Sequence, residues 1–295
     1  MRLDQAQISQ AKLLPDALKE LWQAVEENRL TDDQYCDERE KLLDEYRRTW
    51  AAALMLGGQR RVKESLLSEL ASYVECDDVA EVERRCLVGW MDVEDEWRQR
   101  VESASSESIE RFYDLTEAYL YNLIWWHTLC EDDTPLSYVL ALRFARNREC
   151  SRYLDFGAGV SSGTILFAHH GFDSASADIS SSLLRFSAWR FAQRALNARI
   201  IDLKHQSLPS KAFDFVTAMD VFEHLVNPVA TVDQIAEALV PRGFLYGRFA
   251  CREDDERPQH IVHDFDPVFE RLRALGFSQV WEDEWLWGHQ VFQKP

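Results

Sequence analysis

Leu154-Asp155-Phe156-Gly157-Ala158-Gly159-Val160-Ser161-Ser162-Gly163 reads as the end of a buried strand, a glycine-rich turn and the start of a helix. Closely spaced glycines let a backbone lie against a ligand and adopt angles that other residues resist. Many nucleotide-binding chains use such a turn, so alone it selects a type of site and no more. Its surroundings decide the fold. From Arg152 onward, strand-like runs at 153–156, 174–179, 199–203, 213–219 and 243–249 alternate with helical stretches at 161–170, 181–196, 229–239 and 267–275. Alternation of this kind marks a parallel sheet covered by helices. The tail, 277–280 and 285–292, reads as a closing antiparallel hairpin, for seven strands in all.

Upstream the pattern is helical. Helices are expected over 5–27 with a break near Pro15, over 31–56 with caps at Thr31-Asp32-Asp33 and a stop at Gly57-Gly58, over 62–74, and over 77–101 behind Asp77-Asp78. Leu42, Leu43, Tyr46, Trp50 and Leu54 form one apolar stripe. A polar turn at 103–106 precedes a long aromatic helix from Ser108, and Thr134-Pro135 opens the last helix. The fold class is therefore α/β: a mostly parallel sheet with helices on both faces, preceded by an all-α domain. The expected division is a helical N-terminal domain at 1–105, aromatic helices forming a lid or connector at 106–150, and a ligand-binding core at 151–295.

Composition narrows the function classes. The chain has 295 residues, 46% of them hydrophobic, enough for a sizeable core. No apolar run approaches the roughly 20 residues that span a bilayer, so no membrane partner is expected. The start, Met1-Arg2-Leu3-Asp4-Gln5, lacks a signal-peptide pattern. Six cysteines are scattered without a Cys-x-x-Cys pair and read as reduced thiols of a cytoplasmic protein. The net charge of −18, concentrated in residues 1–150, repels phosphate backbones and argues against nucleic acid. The acidity serves either solubility or attraction of a cationic substrate.

A nucleoside-containing cofactor needs the tight turn of Gly157 and Gly159 and an acceptor for ribose hydroxyls at the tip of strand two, where Asp178 stands. A dinucleotide would place its pyrophosphate on the turn. A sulfonium cofactor carries an ammonium instead, which suits an acidic residue just before the glycines, Asp155. The run Tyr153–Gly159 resembles the first motif of class I S-adenosylmethionine-dependent methyltransferases. Ala177-Asp178-Ile179-Ser180, Leu208-Pro209 with Phe213-Asp214-Phe215-Val216, Asp220-Val221-Phe222-Glu223-His224-Leu225-Val226-Asn227-Pro228 and Leu239-Val240-Pro241-Arg242-Gly243 resemble its later motifs in order. The likeness covers about 150–295.

The resemblance implies a Rossmann-like core, S-adenosylmethionine as cofactor and S-adenosylhomocysteine as product. It implies that Gly157, Ala158 and Gly159 lie against the methionine part and that Asp155 meets its amino group directly or through water. Asp178 would accept from the ribose hydroxyls, Ile179 would pack on the adenine, and Met219 and Asp220 would line the cofactor near the sulfonium. Ser161 stands where the family often has a third glycine, and Arg242 replaces the first glycine of a Gly-Gly turn. The adenine-contacting position after strand three stays open among Asp202, Gln206 and Ser207.

Transfer to an acceptor needs alignment and, for some acceptors, a base. Catalytic candidates are His224 after strand four, and His260 and His263 on the loop after strand five. Each has a plain alternative, a hydrogen-bonded helix start for His224 and a surface connection for the loop. Substrate-binding candidates are Tyr119, Trp126 and His127 on the aromatic helix, with Arg248 at the end of strand five. The aromatic residues could equally glue the helical half to the sheet. The Glu223-His224 pair is too little for a metal site, and no metal is expected. The leading reading is methyl transfer to O or N of a small-molecule acceptor. Alternatives are carbon methylation or another S-adenosylmethionine-using reaction, a silent methyltransferase-like protein whose helical half binds a partner, and a dehydrogenase, which the missing Gly-x-Gly-x-x-Gly spacing disfavours. A homodimer is left open.

Overall fold

The computed structural model describes residues 12–101, 105–249 and 257–295. The start at Met1–Gln5, the first part of the 5–27 helix, part of the turn at 103–106 and Cys251 lie outside the described residues. Seven described helices precede the sheet: α1 (Leu14–Glu26), α2 (Asp32–Leu54), α3 (Val62–Tyr73), α4 (Val79–Arg100), α5 (Ser106–Leu115), α6 (Ala118–His127) and α7 (Ser137–Asn147). The strands are β1 (Arg152–Phe156), β2 (Asp173–Asp178), β3 (Arg199–Asp202), β4 (Phe213–Ala218), β5 (Leu239–Arg248), β6 (Ser278–Glu282) and β7 (His289–Gln293). Between them lie α8 (Ser162–His169), α9 (Ser181–Gln193), α10 (Pro228–Ala238) and α11 (Asp266–Ala274).

The sheet runs β3-β2-β1-β4-β5-β7-β6. β1 to β5 are parallel, and β7 pairs antiparallel with both β5 and β6. Strand order reverses between β1 and β4, and open α/β sheets bind ligands at the carboxyl ends of the strands at such a point. The two-residue period of the strands divides the core. Tyr153, Phe215, Tyr246 and Val291 face a cluster that includes Leu14, Trp50, Leu70, Phe112, Ile124 and Val139 from the preceding helices. Leu154, Val216, Leu245 and Phe292 face Val232 and Ile235 of α10 and Val268 and Leu272 of α11. The helical half and the sheet thus share one core. The composition changes near 105 and 150 are changes of grammar along the chain.

Local chemistry explains most element ends. Thr31 closes a capping box with Gln34 at the start of α2, and Asp78 caps α4 through Ala80 N. Pro15 sits in the first turn of α1, just after the non-helical Lys12-Leu13, so the boundary expected near it is where this helix starts. α2 ends at Leu54, before Gly57-Gly58. The expected long aromatic helix is two helices, because the loop after β2 captures the end of α5. Ser180 Oγ donates to Tyr113 O (2.7 Å), Ser182 Oγ donates to Thr116 O (3.2 Å), and Asp114 accepts from Ser181 N (3.1 Å). Those bonds satisfy terminal carbonyls that a continuous helix would have used internally. Thr134–Leu136 forms a short 3-10 turn ahead of α7.

The two departures from the family's glycine pattern retain glycine's backbone. Ser161 has φ +56° and Arg242 φ +64°. A side chain in that region costs about 1–2 kcal/mol. Arg242 is exposed, so Arg242→Gly is expected to raise stability by about 0.5–1 kcal/mol after glycine's unfolded-state entropy is counted. Denaturant midpoints check this, and a loss of stability in the variant would contradict the left-handed turn.

Candidate active site

The candidate site is built at the ends of β1, β2, β4 and β5. Gly157 has φ +68° and Gly159 φ +52°. Gly157 N and Ala158 N both donate to Ala177 O, at 2.8 and 3.1 Å, which folds the turn over the tip of β2. A Cβ on Gly157 would lie 2.5 Å from Val221 Cγ2, and one on Gly159 would lie 2.8 Å from Leu123 Cδ1. Gly157 therefore demands glycine on angle and on space, and Gly159 on angle, since the tip of Leu123 can yield.

Asp178 ends β2 and holds the turn in place. Its Oδ2 accepts from Gly159 N and its Oδ1 from Ser180 N, each at 2.9 Å. Burial raises its pKa above the ordinary range despite those bonds. Ile179 beside it is half-buried. Asp155 is fully covered. Its Oδ2 accepts from Thr164 N (2.9 Å) and Thr164 Oγ1 (3.0 Å), and its Oδ1 accepts from Thr217 Oγ1 (3.1 Å). The structure turns this carboxyl inward, where it ties α8 and β4 to β1. In that position Asp155 is a buttress beneath the turn. Desolvation pushes its pKa up to about 7.

After β4 come buried Met219, half-buried Asp220 with φ +51°, and the 3-10 turn Phe222–His224. Arg248 Nη1 reaches Asp220 Oδ1 at 3.4 Å. Glu223 is buried, and its pKa is raised to about 8 by desolvation and then by Asp220. Ile261 N and Val262 N donate to Glu223 O at 2.8 and 3.0 Å, which docks the loop after β5 here. His224 Nδ1 meets Gln259 O at 3.0 Å, and the His224 and His260 rings stand edge to face at 4.7 Å. Ligand atoms of Glu223, His224 and His260 lie within 4.8 Å of one another, a nitrogen-and-carboxylate set of the kind that suits zinc or manganese. The pair that was too little in sequence gains a third member from a distant loop.

From the other side, Tyr113 and Tyr119 stack at 5.5 Å, and Tyr113 stands 6.4 Å from the His224 ring. Both tyrosine hydroxyls are buried, and each has the other as its hydrogen-bond partner. Tyr113 belongs to the aromatic run expected to form a lid or connector, and the Ser180 bond is what draws it, with α5, to β2. Other candidates lie elsewhere. His263 is exposed. His127 is buried against Trp50, Trp126 and Tyr138, and burial lowers its pKa to about 3. It stands about 12 Å from Tyr119 along α6, at 1.5 Å per residue. Trp126 and His127 therefore sit with the helical core, where a neutral imidazole packs as one more ring.

The sequence matches the family described as "Methyltransferase domain" over residues 132–284, more than half the chain. The chain belongs to that family. It is a class I S-adenosylmethionine-dependent methyltransferase, with S-adenosylmethionine as cofactor and S-adenosylhomocysteine as product. The residues fit that cofactor in kind: two glycines at positive φ follow β1, and an acid at the tip of β2 fixes the shape of their turn. No curated protein matches the chain in sequence. Similar solved structures include a Pyrococcus horikoshii protein, 17% identical, with TM-score 0.46 over 55% of this chain and 90% of that one. An Aquifex aeolicus S-adenosylmethionine-dependent methyltransferase is 15% identical, with TM-score 0.40 over 49% and 81%. Phosphoethanolamine N-methyltransferase 2 of Haemonchus contortus, solved with S-adenosyl-L-methionine, is 20% identical, with TM-score 0.38 over 43% and 33%.

The raised pKa of Asp155 fixes a sign. The folded protein favours the protonated carboxyl, so this group's contribution to stability falls as pH rises from about 4 through about 7 and is flat above. Asp155→Asn mimics the neutral form and should lose less stability than the wild type between pH 5 and 8. The difference is of order 2–3 kcal/mol in denaturant midpoints. Parallel pH slopes would mean that Asp155 is ionised throughout.

Proposed function

We propose that this methyltransferase transfers a methyl group to an oxygen or nitrogen of a small-molecule acceptor held between Tyr113 and Tyr119 on one side and Glu223, His224 and His260 on the other. The observation that carries the reading is the pair of buried tyrosine hydroxyls, bonded to each other and so one acceptor short, beside that acid–imidazole group. An unsatisfied buried hydroxyl costs about 1–3 kcal/mol, which a polar acceptor would recover. S-adenosylmethionine, when bound, supplies a sulfonium methyl already activated for in-line displacement.

The chain's residues do the rest. The glycine turn and Asp178 hold the donor, with Ile179 against its base and Met219 and Asp220 near its reactive end. Tyr113 and Tyr119 orient the acceptor and exclude water. The contact of His224 Nδ1 with Gln259 O assigns its proton there, which leaves Nε2 as the basic nitrogen to accept a proton from an acceptor O–H or N–H. His260 supports it from the facing loop. Arg248, beside Asp220, meets an anionic part of the acceptor. The net charge of −18 favours a small molecule over nucleic acid. The five described cysteines are free, in keeping with a cytoplasmic protein, and no described helix is long and apolar enough to cross a membrane.

The grouping of Glu223, His224 and His260 favours a second reading, in which these side chains hold a divalent cation that binds the acceptor. The two readings separate on chelation. Under the first, exhaustive EDTA treatment leaves methyl transfer unchanged, and calorimetry with zinc or manganese shows no binding that His260→Ala abolishes. Under the second, both results reverse.

Three further outcomes are expected. Calorimetry should give micromolar binding of S-adenosylhomocysteine and none of NAD; the opposite pattern would sink the donor assignment. Asp178→Ala should weaken that binding at least tenfold, because bonds of about 1.5–3 kcal/mol to a charged acceptor are lost. His224→Ala should lower kcat by about a hundredfold while leaving S-adenosylhomocysteine affinity within about threefold. An unchanged kcat would remove His224 from the chemistry.

A further inference from the structure

The glycine turn is also held from behind, and the hold begins in the helical half. Ser187 on α9 donates to Gly159 O at 3.3 Å and accepts from Ser161 Oγ at 2.7 Å. One turn further along α9, Arg190 Nη1 donates to Val160 O and to Ser162 Oγ, the latter at 3.0 Å. Gly159 and Val160 are therefore fastened to α9 by their carbonyls, and the left-handed Ser161 and Ser162 by their hydroxyls.

Arg190 is fully buried. A guanidinium in that position needs a compensating charge, or its desolvation is prohibitive. The charge is Glu69 of α3, also buried, which accepts from Arg190 Nε at 3.1 Å and Nη2 at 3.2 Å. Arg194 shares the same carboxylate, with Nη2 3.0 Å from Glu69 Oε2, and donates to Leu54 O at 2.7 Å, at the end of α2. The two guanidiniums hold Glu69 below the usual carboxylate range despite its burial.

A buried ion pair is an expensive way to join two helices, since an apolar pair of similar volume does as well or better. The geometry shows what the charge adds. Glu69 takes one edge of the planar fork, and the remaining nitrogen is aimed at the turn. Only arginine offers that arrangement of donors. We propose that Arg190 is a positioning residue for the cofactor and that Glu69 anchors it. The helical half thereby sets the shape of the Gly159–Ser162 backbone without touching the ligand. The proposal rests on the reading of the Gly157–Gly159 turn as the cofactor's cradle. It gives residues before 100 a part in donor affinity, beyond any capping of the acceptor.

The test uses the full chain and S-adenosylhomocysteine as the probe. Arg190→Lys, Glu69→Gln and the double variant Glu69→Leu/Arg190→Met are compared by calorimetric affinity, by thermal midpoint and by hydrogen exchange of the 157–162 amides, with binding measured well below each midpoint. The single variants should bind at least tenfold more weakly and lose protection in the turn. The double variant leaves one guanidinium, Arg194, without Glu69, where Glu69→Gln leaves two, so it should recover thermal stability over Glu69→Gln while affinity stays at least tenfold down. Ser162→Ala, which leaves the ion pair intact, covers the case in which a single variant does not fold, and it should weaken binding about threefold or more. Affinity that returns with stability in the double variant, or that stays within twofold in Ser162→Ala, overturns the proposal and makes the pair a core staple. A wild-type protein that fails to bind, or an Asp178→Ala variant that binds normally, would instead mean that the cradle itself is misread.

Discussion

The carboxylate of Asp155 is the constraint on which the site depends. It is buried at the end of β1, where the strand order reverses, and it joins three elements at once. Thr164 brings the first turn of α8 to it, Thr217 brings β4, and Tyr153 lies 2.6 Å behind Thr217. An unpaired carboxyl there would be intolerable, so each partner is held where the bond requires it. That fixes the distance between β1 and β4, the entry of α8, and hence the path of the glycine turn between them. Gly163 is part of the same constraint, since a Cβ there would lie 2.3 Å from Tyr138 and 2.7 Å from Asp155.

Above this buttress the polar groups of the crevice share one electrostatic condition. Asp155, Asp178, Asp220 and Glu223 all have pKa values raised chiefly by desolvation. Carboxyls gathered in a dry edge suit a ligand that brings positive charge of its own, as a sulfonium with an ammonium does. The polar groups of the described helices answer from the other side. Tyr113 and Tyr119 are carried over the tip of β2 by the Ser180 and Ser182 bonds, and Glu69 reaches the back of the turn through Arg190.

Much of this was legible in the chain because it rests on local rules. Gly157 and Gly159 demand backbone freedom, the strands announce themselves by a period of two, and Thr31 and Asp78 cap their helices through neighbours a few residues away. Even the departures at Ser161 and Arg242 kept the local geometry of the glycines they replace. What could not be read is whatever depends on a distant partner. Glu69 looks like any glutamate on a helix until Arg190 is packed against it. Tyr113 looks like one of many aromatic residues until α5 ends on the loop after β2. His127 and His224 are indistinguishable as letters, yet one packs in the core and the other stands beside Glu223 and His260.

The sequence by itself determined the order of elements, the glycine turn and the acidic residues at the ends of the first two strands, because these follow from spacing along the backbone. Tertiary structure decided which of those acids faces inward, which histidines meet, and how the helical half joins the site. Those outcomes depend on contacts between residues far apart in the chain, where burial decides whether a charge is buttress, base or anchor. Asp155 shows the division most plainly: its place was evident from its neighbours, and its role came from Thr164 and Thr217.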